Sequence, residues 1–492
     1  MSYFARSRRR FIGITVGLIA GMDFLANATI NFAEAPIRGG IGVSPGQFLW
    51  VLSAYAVSGA LMILLLDRLS RIMRYRDLLL AGLALFVLGS VAAALSQTLA
   101  ELVVARVIQG MGGGPLMTCA RILVQISVPP ERRARQLQGF MLGIFIAAAP
   151  GPWLAASLIQ SGDWHALFIL HAVAGVLVMT LAWAMLPRGA HVTRSIGRLD
   201  GWAALAFCFG VLLWMHTLED MRYQWLDAAV IVRILLAMSA FGVLAWHLRT
   251  HPDPWFRVDS LASRRYLTGL GLYTCYYFIN GAVTLITPMA LLSGEAMGLA
   301  CTGRLLSAGG LCTVLVLPFY FRYSSRLPDR RFVMTGGFLL MSGLLLWFGS
   351  RLTGETPPSA ILPILMLKGL FPVLVVIQVA GLTFREFKHL DFAHAYAVKN
   401  VLRLLANAVG SGIANLYWQE RIANSRTALI GRFDAFHAGE NPFAVSDTAG
   451  WAHLSQLIDQ QAALISATQV FTTLAALSAL GAIFALLQKS LR

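Results

Sequence analysis

Fourteen apolar stretches, each about 20 residues long, run from Phe11 to Leu487, and no water-soluble core needs so many. They cover 11–33, 47–66, 78–96, 99–120, 137–160, 166–186, 201–218, 228–247, 266–292, 299–320, 332–350, 359–384, 392–418 and 464–487. The chain is 57% hydrophobic and only 13% charged, with a mean hydropathy of +0.68. It therefore reads as an all-α polytopic membrane protein with short connections.

A net charge of +16 raises the question of nucleic acid, but the distribution argues for topology instead. Arg6, Arg8, Arg9 and Arg10 precede the first stretch; Arg68, Arg71, Arg74 and Arg76 follow the second; Arg132, Arg133 and Arg135 follow the fourth. Arg188, Arg194 and Arg198 follow the sixth, Arg249, Arg257, Arg264 and Arg265 the eighth, and Arg322, Arg326, Arg330 and Arg331 the tenth. The alternate connections carry little beyond Glu34, Arg38, Glu101, Asp163, Glu219, Asp220 and Glu355. The positive-inside rule then puts both termini in the cytoplasm, as an even span count requires. The run from Ser7 to Gly13 is similar to a twin-arginine signal, yet no A-x-A-like cleavage site follows, so it reads as a basic anchor before the first helix. Cys119, Cys208, Cys275, Cys301 and Cys312 all lie in apolar stretches and read as packing residues; neither a disulfide framework nor a metal site is indicated. Two longer connections stand out: 187–200, and the polar segment 419–463 on the outer side, read as a partner contact or an ordered cap.

A charge at bilayer depth costs at least about 2.5–3.5 kcal/mol on insertion scales, so each needs a reason. Asp23 lies in the middle of the first stretch, Arg106 in the fourth and Lys368 in the twelfth. Lys399 and Arg403 lie four apart in the thirteenth, on one helix face. Arg121 and Arg233 sit nearer the ends, where snorkelling accounts for them. Asp23 reads either as a protonatable carboxylate lining a cavity or as a static ion pair between helices. Arg106 stays charged and suits a gating hub. Lys399 and Arg403 suit an anionic cargo or helix packing. The breaks Gly110–Pro115 and Pro150–Pro152 fit helices that rock against one another. Tyr55, Trp153, Tyr276 and Tyr277 are candidates for an apolar pocket.

Several motifs resemble those of the fourteen-helix drug:proton antiporters of the major facilitator superfamily, the EmrB-type multidrug exporters. Arg106-Val107-Ile108-Gln109-Gly110 is similar to the R-x-x-Q-G of their fourth helix. Ala149-Pro150-Gly151-Pro152 is similar to the fifth-helix antiporter motif, with Ala155 and Ala156 in place of its paired glycines. Asp163-Trp164 through Phe168 resembles W-R-W-I-F with His165 for arginine, and Asn400 to Gly410 resembles the N-x-x-R…G of the thirteenth. The resemblance implies two six-helix halves (1–187 and 260–492) with an inserted pair in 188–259, and a substrate site at the midplane between the halves. It also implies proton-coupled export of hydrophobic or amphipathic compounds across a Gram-negative inner membrane. A periplasmic adaptor (a membrane fusion protein) and an outer-membrane channel usually complete that pathway, which would put 419–463 near the adaptor.

Two departures bear on coupling. The first-helix motif approximates L-D-x-T-I-x-N…P, and its aspartate is Asn27 here, so Asp23, one turn earlier on the same face, takes the proton-carrying role. The latch motif after the second helix has Asp67, Arg71 and Arg74 where glycine, aspartate and glycine are usual. In this reading Asp23 and Arg106 couple protons. Asn27, Gln109, Gly110, Asp67, Arg71, Gly151 and Pro152 carry the motifs, and Tyr55, Trp153, Tyr276, Tyr277, Lys399, Asn400 and Arg403 line the cavity. Two other readings stay open: export of a dedicated anionic metabolite or siderophore through Lys368, Lys399 and Arg403, and a degenerate receptor or assembly subunit that moves nothing. The sequence offers no nucleophile–base pair or phosphate loop, so no enzyme and no cofactor is expected.

Overall fold

A computed structural model describes residues 3–160, 162–187, 200–220, 227–251, 254–255, 261, 263–323, 329–384, 386–387, 389–431 and 448–488. The arginines at 188, 194, 198, 257 and 326, and Asn441, Pro442 and Asp447, lie outside the described residues.

The described chain is helical, with no strand. In order come α1 (Tyr3–Phe32), α2 (Glu34–Ile41), α3 (Pro45–Leu64), α4 (Leu66–Ile72), α5 (Tyr75–Ala94), α6 (Leu99–Gly113), α7 (Leu116–Ser127), α8 (Pro130–Ala148), α9 (Gly151–Ile159) and α10 (Ala166–Met185). The paired α11 (Gly201–Asp220) and α12 (Ala228–Thr250) follow. Then come α13 (Arg264–Met289), α14 (Leu299–Tyr323), α15 (Arg330–Arg351), α16 (Pro358–Lys368), α17 (Phe371–Leu374), α18 (Val376–Thr383), α19 (His389–Ile430) and α20 (Thr448–Leu487). Each of the fourteen apolar stretches falls on one of these helices or on a broken succession of them. Eleven are long and apolar enough to cross a bilayer. The other three have plain reasons to fall short. The fourth is split at Gly114 and Pro115, the seventh forms a shorter apolar helix over Gly201–Thr217 among the described residues, and α19 carries Lys399 and Arg403.

Starts and breaks follow local chemistry. Ser44 caps α3 and Thr98 caps α6, each in a reciprocal capping box with Gln47 and Glu101. Proline and small residues interrupt the fourth span at Gly114-Pro115 and the fifth at Ala149-Pro150. Exposed large side chains such as Leu88, Leu177, Trp183, Leu235, Trp246 and Phe319 form an apolar exterior.

The packing repeats across the chain in a way the sequence does not advertise. The first span packs on the fifth (α1 on α8), and the ninth on the thirteenth (α13 on α19). Both contacts need glycine. A Cβ on Gly17 would stand 2.4 Å from the Phe140 carbonyl oxygen, and one on Gly281 would stand 2.3 Å from that of Asn407. The crossings between the two sets repeat as well: the second span lies on the thirteenth (α3 on α19) and the fifth on the tenth (α9 on α14). The pair α11–α12 buries Ala203, Phe207, Val211, Met215, Leu244 and Leu248 against α3 and α19. Past the spans, α19 and α20 continue as helices through most of the segment 419–463, joined by an Arg426–Asp459 ion pair at 2.8 Å.

Arg121 corrects the snorkelling expectation. Its guanidinium lies 4.9 Å from the Phe392 ring and 5.9 Å from Tyr396, so it packs on α19 aromatics. Arg233 pairs with Asp220 across α11 and α12.

Candidate functional site

Asp23 is fully buried on α1, and α19 brings Arg403 to it from 380 positions away in sequence. Arg403 Nη2 donates to Asp23 Oδ2 at 2.7 Å. Tyr55 Oη donates to Oδ1 at 2.8 Å, and Asn27 Nδ2 to the same oxygen at 3.1 Å and to the Asp23 carbonyl at 2.7 Å. The carboxylate thus holds three side-chain donors. Asn27, which cannot carry a proton in its amide, serves as one of them.

Arg106 does not bond to Asp23 directly. Its Nη1 donates to Gln109 Oε1 at 2.5 Å and its Nε to the Val51 carbonyl at 3.3 Å. Its guanidinium carbon stands 4.2 Å from the centre of the Tyr55 ring, so it reaches Asp23 only through that ring. Gln109 Nε2 donates to Ser90 Oγ at 2.8 Å and lies 3.5 Å from His171 Nδ1, while His171 Nε2 lies 2.7 Å from Thr29 Oγ1. Sequence reasoning missed His171, although a histidine within an apolar 20-mer is itself a signal of this kind. Gly110 lets α6 sit directly on α3: a Cβ there would meet Ser58 Oγ at 2.3 Å and the Tyr55 carbonyl at 2.4 Å.

A cavity of about 160 Å³ lies beside this pair, lined from α1, α3, α13 and α19 with Ala148 at the end of α8. Tyr55, Tyr277 and Arg403 are on its wall, with Asn27, Asn31, Asn280, Asn407 and Ser411. Four expected lining residues are elsewhere. Trp153 is 47% exposed, on the outside of the bundle. Tyr276 is buried edge-to-face on Tyr277 and against Phe371, whose ring centre is 4.7 Å away. Lys399 donates to Asn400 Oδ1 at 2.7 Å beneath the rings of Tyr273 and Tyr396, and Asn400 Nδ2 donates to Thr118 Oγ1 at 2.7 Å. Lys368 ends α16. The three cations proposed for an anionic cargo do not converge. Of the three, Arg403 lies on the cavity wall, while Lys399, one turn earlier on α19, is held by Asn400 beneath the Tyr273 and Tyr396 rings.

The fifth-span break packs on the tenth span. A Cβ on Gly303 would lie 2.8 Å from the Pro152 carbonyl oxygen, and Trp153 N donates to Ser307 Oγ at 2.9 Å. Gly151 faces Ala28, Leu25 and Thr29 of α1. At the arginine-rich end, Asp67 of α4 accepts from Arg71 at 2.7 Å and lies 3.6 Å from His394 Nε2 of α19. Burial raises the Asp67 carboxyl, but His394 and then Arg71 outweigh it and hold it below the usual carboxylate range.

Residues 16–411 match the model of the Major Facilitator Superfamily. The chain is similar to the probable multidrug resistance protein EmrY of Escherichia coli, 24% identical over 94% of this chain and 91% of that one. It is also similar to the multidrug export protein EmrB of Haemophilus influenzae, 24% identical over 93% and 91%. The fatty acid resistance protein FarB of Neisseria gonorrhoeae is 22% identical over 94% and 92%. In fold it matches the crystal structure of a bacterial homologue of the human lysosomal transporter Spinster, inward-facing and unoccupied. That match has a TM-score of 0.57 at 12% identity and covers 97% of this chain and 98% of that one. With the repeated helix crossings and the cavity between the two sets of spans, the match over most of its length makes this chain a member of the Major Facilitator Superfamily.

Proposed function

We propose that this chain exports hydrophobic or amphipathic compounds across a bacterial inner membrane by proton-driven alternating access. The Asp23–Arg403 pair carries the reading. It is a buried ionic tie between two elements that must part if the cavity is to open on alternate sides. Protonation of Asp23 removes the charge that holds Arg403, which frees α1 from α19. Re-forming the pair on the other side expels the proton, and cargo crosses in the opposite sense. Arg106 and Gln109 act as positioning residues, holding Tyr55 on the carboxylate. Gly110, Gly151 and Pro152 provide close or interrupted helix contacts about which the two sets of spans rock. The rocking bodies in this reading are 1–187 and 260–492, with 188–259 as a linker and lateral pair. The names of the similar proteins support the cargo class.

The arginine-rich connections support cytoplasmic termini. The paired extensions of α19 and α20 would then project on the outer side, as a surface for a membrane fusion protein leading to an outer-membrane channel. Photocrosslinking from positions within 448–463 tests that contact, and it fails if no position yields an adaptor adduct.

The coupling test is proton release from energised inverted vesicles, on adding cationic, neutral and anionic compounds. Wild type and Asp23→Asn are compared at matched folded yield. Cargo-triggered release should be present in wild type and absent in the variant. Release that survives in the variant removes Asp23 from the proton path. No release from folded wild type overturns antiport and leaves uncoupled or non-transporting function.

A further inference from the structure

The cavity wall has an unusual chemistry for a site expected to take hydrophobic or amphipathic compounds. Among the described residues that line it, Arg403 is the one formally charged side chain, and its charge is already matched by Asp23. Asp23 in turn offers no free oxygen to a cation, since Oδ2 is taken by Arg403 and Oδ1 by Tyr55 and Asn27. An anion would have to compete with Asp23 for the guanidinium. The wall is therefore electrically neutral, but it is rich in unused hydrogen-bonding capacity. The side-chain amides of Asn31, Asn280 and Asn407 make no hydrogen bond to another described residue, and they come from three different helices, α1, α13 and α19. Arg403 is only 5% exposed, and its Nε has no partner among the described residues. Amides that a cargo shields from water are expensive to leave unpaired, so a cargo that pairs them is favoured over one that does not.

Resting on the export reading above, we infer that the cavity selects uncharged cargo bearing several hydrogen-bonding groups, with carbonyl or hydroxyl oxygens directed at the amides of Asn31, Asn280 and Asn407. Phe24 and Tyr277 supply the apolar contact for the rest of the molecule. Selectivity then comes from amide pairing more than from charge, and a lipophilic cation finds no counter-ion.

The test is equilibrium binding to the full chain in detergent-free nanodiscs, with no proton gradient, so that its result does not depend on coupling. The probes are chloramphenicol and linezolid (neutral, with amide or carbamate carbonyls), tetraphenylphosphonium (a cation) and 1-anilinonaphthalene-8-sulfonate (an anion). A neutral probe should bind at least tenfold tighter than either ion. Asn280→Ala and Asn407→Ala should each weaken it about fivefold, the size of one net hydrogen bond, and leave tetraphenylphosphonium unchanged. Asn407→Asp, which places a free carboxylate on the wall, should raise tetraphenylphosphonium affinity. Preference for either ion, neutral binding indifferent to both alanine variants, or no saturable neutral binding by folded protein overturns the inference. Selective neutral binding without proton release would keep it and overturn the antiport reading instead.

Discussion

Two ionic ties run from the first helices to the same long helix α19, and they differ in almost every respect. Asp23–Arg403 closes at 2.7 Å with side chains 0% and 5% exposed. Asp67–His394 stands at 3.6 Å with both side chains about one-sixth exposed, and Asp67 has a second partner, Arg71, on its own helix. The first is a buried pair, where breaking it leaves a charge without its counter-ion. The second is one arm of a cluster near the helix ends, where water and Arg71 can substitute. A facilitator needs one tie that must change its charge before it lets go, and another that can open and close with little penalty. The difference in burial supports giving the first role to Asp23–Arg403 and the second to Asp67–His394 in the proposed cycle.

The largest expected effect is at Arg403. Arg403→Ala leaves the Asp23 carboxylate buried with only Tyr55 and Asn27, and should lower stability by about 3–5 kcal/mol along with loss of transport. Adding Asp23→Asn to that background should recover most of the stability and none of the transport. Thermal unfolding in nanodiscs beside vesicle flux separates the two. If the double variant is no more stable than Arg403→Ala, the pair is not the isolated tie described here. A smaller effect is expected at Gln109, which links Arg106 to Ser90 and His171. Gln109→Ala orphans buried donors and should cost about 1–3 kcal/mol. Because Tyr55 then loses its anchored neighbour, coupling should fall while proton-independent binding of cargo stays. Equal loss of both would make Gln109 purely architectural.

The fourteen stretches were legible because every turn of a lipid-facing helix is apolar, and the breaks were legible because proline and glycine act locally. The partner of Asp23 was not. On α1 the sequence identifies a buried acid, but which of Arg106 and Arg403 meets it depends on the rotation of helices whose positions are set by glycine contacts such as Gly17 on Phe140 and Gly281 on Asn407. The same rotation puts Trp153 outside and Tyr277 inside. Only one of the proposed lining pair Lys399 and Arg403 reaches the wall, although a four-residue spacing puts both on one face. The amides of Asn280 and Asn407 look unremarkable in an apolar string and gain meaning only when the helices around the cavity converge. The repeated crossing pattern, first on fifth and ninth on thirteenth, leaves no sequence repeat because it requires only small residues at the contact.

The smallest effect belongs to the helix-end tie, Asp67–His394, and it sharpens the comparison most. The Asp67 carboxyl is held below the ordinary aspartate value of 3.8. A depressed carboxyl contributes stability that is fully present above its unfolded value and is lost as pH falls through the lower folded one. Near neutral pH the contribution of Asp67 should therefore be flat, and it should disappear only in acid below about pH 4. Asp67→Asn should lower the unfolding temperature slightly, by an amount equivalent to about 1 kcal/mol, and should remove this acid-side slope. His394→Ala, which leaves Arg71 in place, should cost less than that. Since this tie opens without changing the charge on Asp23, both variants should alter the rate of cargo exchange and leave the number of protons per cargo as it was. A changed proton ratio in either variant would mean that the two ties form one coupled network, and the division of labour between the buried and the helix-end pair would collapse.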